Sequence, residues 1–109
     1  MGKIYSIETY LSDEDALDIR IEVEKGEVLN FSINYRILVN NEWCQVYRID
    51  TAHGYLHEQR YWIGTEPISL KSKEGRFTTR KELFSHCLDE IKQSHELYRK
   101  LYLNKLGIR

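Results

Sequence analysis

The sequence is poor in residues that staple, break or anchor a chain: it holds two cysteines, one proline and one methionine in 109 residues. Two cysteines do not make a disulfide scaffold in a chain this small. Cys44 and Cys87, each inside an apolar pattern, are expected to be free thiols in a reducing, cytoplasmic setting. No apolar run approaches the roughly 18 residues of a membrane span, so no membrane association is expected. The start of the chain lacks a basic patch followed by an apolar run, so no secretory signal is expected. A nucleotide-binding glycine loop, a serine elbow and a paired-cysteine motif are all missing. One sign of charge does not dominate either. The net charge is −1, which is not the signature of a dedicated polyanion binder.

What is present suits one small folded domain. The chain is 41% apolar and 30% charged, a globular rather than a disordered balance. The charge is unevenly spread. Residues 1–27 hold three basic and eight acidic side chains, a net of −5, and residues 28–109 hold thirteen against nine, a net of +4. Within the second part Lys71, Lys73, Arg76, Arg80 and Lys81 oppose only Glu74. Arg99, Lys100, Lys105 and Arg109 close the chain with no acid among them. Such asymmetry can steer a polyanion to one side, and it can equally be a solvated surface and a helix end whose cations complement its dipole.

The first 63 residues read as strands. Leu17, Ile19, Ile21 and Val23 alternate with Asp18, Arg20, Glu22 and Glu24, the pattern of a half-buried strand. Leu29, Phe31, Ile33, Tyr35, Ile37 and Val39 repeat it. Lys25-Gly26 and Asn40-Asn41 supply turns that need left-handed backbone. Residues 3–11, 42–50 and 55–63 complete about five strands, and Ile68–Leu70 is a candidate short edge strand within a 64–78 loop. A helix is expected over 79–106. Thr79-Arg80-Lys81-Glu82 has capping-box form, and Gly107 is a stop. Leu83, Phe84, Cys87, Leu88, Ile91, Tyr98, Leu101 and Tyr102 fall on one stripe. The expected class is α+β: an antiparallel β-meander whose apolar face is covered by one long C-terminal helix.

The stretch from Val46 to Glu58 concentrates titratable residues around one turn. A two-residue turn at Asn40-Asn41, continued without interruption, places Tyr35 opposite Val46, Ile33 opposite Arg48 and Phe31 opposite Asp50. Arg48 and Asp50 would then emerge on the core face. A four-residue loop over 51–54 would pair Arg48 with His57 and gather Arg48, Asp50 and His57, with His53 beside them. A loop one residue longer sends His57 to the other face. Histidine can give or take a proton near neutrality, arginine can hold a phosphate, and aspartate can orient an imidazole. These parts suit metal-independent acid–base cleavage of RNA. They also suit an Arg48–Asp50 pair that closes the end of the sheet, or zinc or manganese ligation by Asp50, His53 and His57. His86 and His95 point to different sides of the helix, with His86 toward solvent.

The run Tyr47-Arg48-Ile49-Asp50-Thr51-Ala52-His53-Gly54-Tyr55-Leu56-His57 resembles the motif of TumE-type toxins of toxin–antitoxin systems and related small proteins of archaea and bacteria. Arg48, Asp50, His53, Gly54 and His57 match it. Thr51 stands where Asn is usual, and Gln59 replaces a third histidine. The resemblance implies a toxin paired with a small helix-turn-helix antitoxin and acting as a ribonuclease. On that reading His53 and His57 exchange protons, Asp50 orients one of them and Arg48 holds phosphate. Lys71, Lys73, Arg76, Arg80 and Lys81 attract the RNA, and no cofactor or metal is needed. The competing expectation is a non-catalytic interaction module. It would bind a partner, or a second copy as a homodimer, through an aromatic sheet face carrying Trp43, Tyr47 and Trp62.

Overall fold

The computed structural model describes residues 2–108, so Arg109 lies outside the described residues. Six strands pair in sequence order, each antiparallel to the next. They are β1 (Lys3–Ser12), β2 (Asp15–Glu24), β3 (Glu27–Val39), β4 (Glu42–Asp50), β5 (His57–Arg60) and β6 (Ile68–Ser69). A short helix, α1 (Lys71–Glu74), leads to the long α2 (Arg80–Lys105). The architecture is the expected α+β meander with one strand more. Ile68–Ser69 pairs with His57 and Glu58, while the fifth strand stops at Arg60 because residues 61–63 turn.

The turns form where the sequence places them. Lys25, Gly26, Asn40 and Asn41 all have positive φ, which lets two residues reverse the chain with the twist that flanking strands require. Helix α2 starts at Thr79, whose hydroxyl accepts from Glu82 N–H at 3.2 Å. It ends in a left-handed Gly107, with Ile108 N–H donating back to the Leu103 carbonyl. Leu83, Cys87 and Ile91 of α2 are fully covered by β3 and β4. Burying the Leu83 and Ile91 side chains stabilises the docking by about 2 kcal/mol each. Leu101 of the expected stripe is 36% exposed, and Leu103 packs against the core instead.

The register of β3 on β4 departs from the expected one at a single place. Val39 opposes Glu42 and Ile37 opposes Cys44, as the turn dictates. Arg36 then opposes Gln45 but Tyr35 opposes Tyr47, so Val46 is an extra residue, a β-bulge. Val46 and Tyr47 are both fully buried. Every later side chain of β4 therefore changes face relative to the uninterrupted count. Ile33 opposes Ile49, and Asp50 opposes Ser32 rather than Phe31. The loop after β4 runs over residues 51–56, so Asp50 pairs with His57 and Arg48 with Gln59. Arg48 and Asp50 thus lie on the face opposite α2, and their expected place on the core face is wrong. Burial explains the choice. The bulge turns Tyr47 and Ile49 inward and keeps a guanidinium and a carboxylate out of the apolar layer, where unpaired charge is costly.

The expected aromatic face is also divided. Tyr47 is buried beneath α2 in a three-ring cluster, its centroid 4.6 Å from Tyr98 and 6.3 Å from Trp62, with Trp62 and Tyr98 5.2 Å apart. Trp43 lies on the opposite face, edge-on to Tyr10 and with the Arg36 guanidinium 4.2 Å from its ring. Cys44 and Cys87 are both free thiols. Among the described residues no helix is long and apolar enough to cross a membrane.

Candidate functional site

Two polar rows cross the sheet on the face opposite α2. Successive cross-strand partners give Ser6–Arg20–Ser32–Asp50–His57–Ser69 in one row. They give Glu8–Asp18–Asn34–Arg48–Gln59 in the next. Directly opposed residues share a face, so the bulge at Val46 is what brings Arg48 and Asp50 into line with Arg20. A cleft of about 410 Å³ opens beside the middle of the first row, lined by Arg20, Asn30, Ser32, Arg48, Asp50 and His53 among others. A second cleft of about 490 Å³ shares Arg20, Ser32 and Arg48 with it and continues to Asn34 and Asp18.

Asp50 is the hub of the first cleft. Its Oδ2 accepts from Arg48 Nε at 2.8 Å, and its Oδ1 accepts from Ala52 N–H at 2.9 Å. Oδ1 also lies 2.9 Å from His57 Nε2. The other ring nitrogen of His57, Nδ1, lies 3.3 Å from the Tyr55 carbonyl. Both imidazole nitrogens therefore face acceptors inside the protein. Asp50 and His57 are buried, whereas the Arg48 side chain keeps 35% of its surface. Its guanidinium is anchored through Nε, and its terminal nitrogens make no hydrogen bond among the described residues. Such a group is a fixed cation at the mouth of the cleft.

The turn that follows is built around strain. Ala52–Gly54 forms a single helical turn in which His53 has φ 65° and Gly54 φ 85°. A non-glycine residue in the left-handed region is uncommon, and such positions cluster at working sites. His53 is exposed, and its ring centroid is 6.2 Å from that of His57. Thr51, where the toxin motif has Asn, is fully buried and knits the turn to β3. Its hydroxyl accepts from Phe31 N–H at 3.0 Å.

The five basic residues expected to draw RNA have different surroundings. Lys73 pairs with Glu90. Arg80 reaches the Leu29 carbonyl at 3.0 Å and the Gly54 carbonyl at 3.3 Å, which ties the start of α2 to the His53 turn. Lys71 lies 4.9 Å above the Tyr55 ring. Arg76 and Lys81 are exposed. Of the set, Arg80 alone reaches a residue lining the cleft through these contacts. His86 is largely exposed beside Glu90, and His95 sits at the boundary, edge-on to Tyr35.

Sequence reading missed Arg20, Asn30, Ser32 and Asn34. Their face was legible, because the alternation of β2 and β3 fixes it, but only the bulge at Val46 aligns them with Arg48 and Asp50. Asn34 is 93% buried on that face, and its Oδ1 lacks a hydrogen-bond partner. Sequence reading also missed a buried carboxylate under α2. Glu58 accepts from the Tyr47 hydroxyl and from Arg60 Nε at 2.7 Å. Burial, and then Glu58, pushes the Tyr47 hydroxyl pKa far above its usual value. Among the described residues no three His, Cys, Asp or Glu side chains group as metal donors.

A family model described as a domain of unknown function (DUF7718) matches residues 2–108. No curated protein and no solved structure matches the chain.

Proposed function

The chain belongs to that family of unknown function, and we propose that it is a TumE-type toxin acting on RNA at the cleft beside His53. The observation that carries this reading is the meeting of Arg20, Arg48, Asp50 and His53 around one open cleft. Arg48 and Arg20 hold a backbone phosphate and offset the charge that develops on it. His53, exposed and unencumbered by Asp50, takes the proton of a ribose 2′-hydroxyl. The resulting oxygen attacks the adjacent phosphorus, and the 5′-oxygen leaves with a proton from water. The products are a cyclic phosphate and a 5′-hydroxyl end.

The roles differ from the simplest use of two histidines. His57 is held at both nitrogens, so it acts by locking Asp50, and through Asp50 it positions Arg48. Proton transfer then falls to His53 alone. Lys71, Arg76 and Lys81 contribute long-range attraction, so binding weakens as salt rises. A helix-turn-helix antitoxin is the partner this reading implies.

The second reading is a non-catalytic interaction module. It is favoured by the same two contacts of His57, which close that imidazole to substrate. RNA cleavage by the purified protein in EDTA separates the two. The toxin reading expects cleavage that survives EDTA and is lost in His53→Ala with the thermal midpoint unchanged. Cleavage by His53→Ala at the wild-type rate, or no cleavage of any RNA by wild type with or without divalent metal, leaves the module.

A further inference from the structure

The most conspicuous surface outside the cleft is the first edge of the sheet. β1 pairs only with β2, so one side of a ten-residue strand presents unpaired backbone groups. It carries four large apolar side chains, each at least half exposed: Ile4 at 52%, Tyr5 at 50%, Ile7 at 51% and Tyr10 at 57%. Long, apolar edges are normally shortened, charged or covered, because they are templates for another strand. Here α2 packs over β3 and β4 and leaves β1 bare.

We propose that β1 is a self-pairing edge, along which a second copy of this chain adds its own β1 antiparallel, centred on Ile7. The occupant is argued from the strand itself. A two-fold axis through Ile7 sets Ile4 opposite Tyr10, Tyr5 opposite Thr9 and Ser6 opposite Glu8. Apolar residues then meet on both faces, and no like charges oppose each other. Lys3 of each copy arrives at the acidic turn that holds Asp13 of the other, within diagonal reach of a long side chain. Registers shifted by two residues lose this. One centred on Glu8 sets two glutamates against each other, and one centred on Ser6 puts Ile4 against Glu8. The four half-exposed side chains and the strand edge offer on the order of several hundred Å² per copy, approaching the roughly 800 Å² per partner of a standard interface. The pair is a twelve-stranded sheet with both α2 helices on one face. Tyr5 and Ile7 of the two copies line the valley between them. The two His53 clefts open on the other face and stay free.

The register gives a sharp test in the full chain carrying Cys44→Ser. Directly opposed residues in an antiparallel pair have Cα atoms about 4.5–5.5 Å apart, within disulfide range. Ile7→Cys should therefore form a disulfide-linked dimer under mild oxidation. Tyr5→Cys alone and Thr9→Cys alone should not, but an equimolar mixture of the two should. In sedimentation velocity the wild-type chain should be dimeric at micromolar concentration, and Ile7→Lys, which opposes two ammonium groups at the axis, should be monomeric with an unchanged circular dichroism spectrum. A wild-type monomer up to 100-fold higher concentration overturns the proposal. So does a dimer that Ile7→Lys leaves intact, or one in which Tyr5→Cys and Thr9→Cys fail to cross-link on mixing.

Discussion

His57 Nε2 and Asp50 Oδ1 are 2.9 Å apart at the closed end of the β4–β5 pair, each side chain less than a tenth exposed. The same carboxylate holds Arg48 Nε and the Ala52 N–H. A buried hub of this kind costs more to break than it contributes when intact, because its removal strands the donors around it. Asp50→Ala should lower the unfolding free energy by about 2–3 kcal/mol, and His57→Ala by about 1–2 kcal/mol. Because both remove the same contact, the double variant should fall short of the sum. Urea denaturation of the three variants measures this. Additive losses would mean that the two side chains stabilise the sheet end independently.

Most of the fold was legible because apolar alternation continues over whole strands. Leu17–Val23 and Leu29–Val39 each fix a face, Asn40-Asn41 fixes a turn, and Thr79 fixes a helix start. The site was less legible, and one residue is responsible. Val46 and Tyr47 are adjacent and both apolar, so simple counting gives no reason to skip either. Burial energy supplies the reason: skipping Val46 buries Tyr47 and Ile49 and exposes Arg48, while an unbroken ladder does the opposite. The six-residue loop after Asp50 was a second hidden variable. It is held by the buried Thr51 hydroxyl and by Glu74, which accepts from Leu56 N–H at 2.8 Å. A contact between residues eighteen apart in sequence leaves no periodic trace.

The two thiols should differ sharply in reactivity. Burial pushes the Cys87 thiol up to about 12, so almost none of it is thiolate near neutral pH, and the thiolate is the reactive form. Cys44 is only half-buried, at the exposed end of β4. A disulfide reagent at pH 8 should modify Cys44 in the folded protein and Cys87 only on unfolding. Fast modification of two thiols in the native state would show that α2 lifts from the sheet on the labelling timescale.

Glu90 ties α2 to α1 through Lys73 Nζ and also meets His86 Nε2 at 3.0 Å. Burial alone would raise its pKa, but Lys73 and His86 outweigh burial and hold it below the ordinary 4.5. A carboxyl depressed on folding adds stability at pH values above its unfolded pKa and loses it as pH falls through the folded one. The side chain is more than a third exposed and screened by solvent, so its contribution is at most about 0.5 kcal/mol. Glu90→Gln should be slightly less stable than wild type at pH 7, and the difference should vanish at pH 3. A gap that persists at pH 3 would point to lost packing instead of lost charge.

His53 tests whether strain and activity are coupled. Its φ of 65° costs a side-chain-bearing residue energy that glycine does not spend. His53→Gly should therefore keep the fold and hold or raise its stability, by up to about 1 kcal/mol, since relief of the strain competes with the greater freedom of glycine in the unfolded chain. On the RNA-acting reading the same variant should lose cleavage completely, while His57→Gln, which keeps a donor toward Asp50, should keep part of it. Stability and activity would then move in opposite directions at one residue, as expected where a working group is held in a costly conformation. If His53→Gly is instead markedly destabilised, the imidazole is part of the structural network of the turn. The proton-transfer role assigned to it would then lose its support.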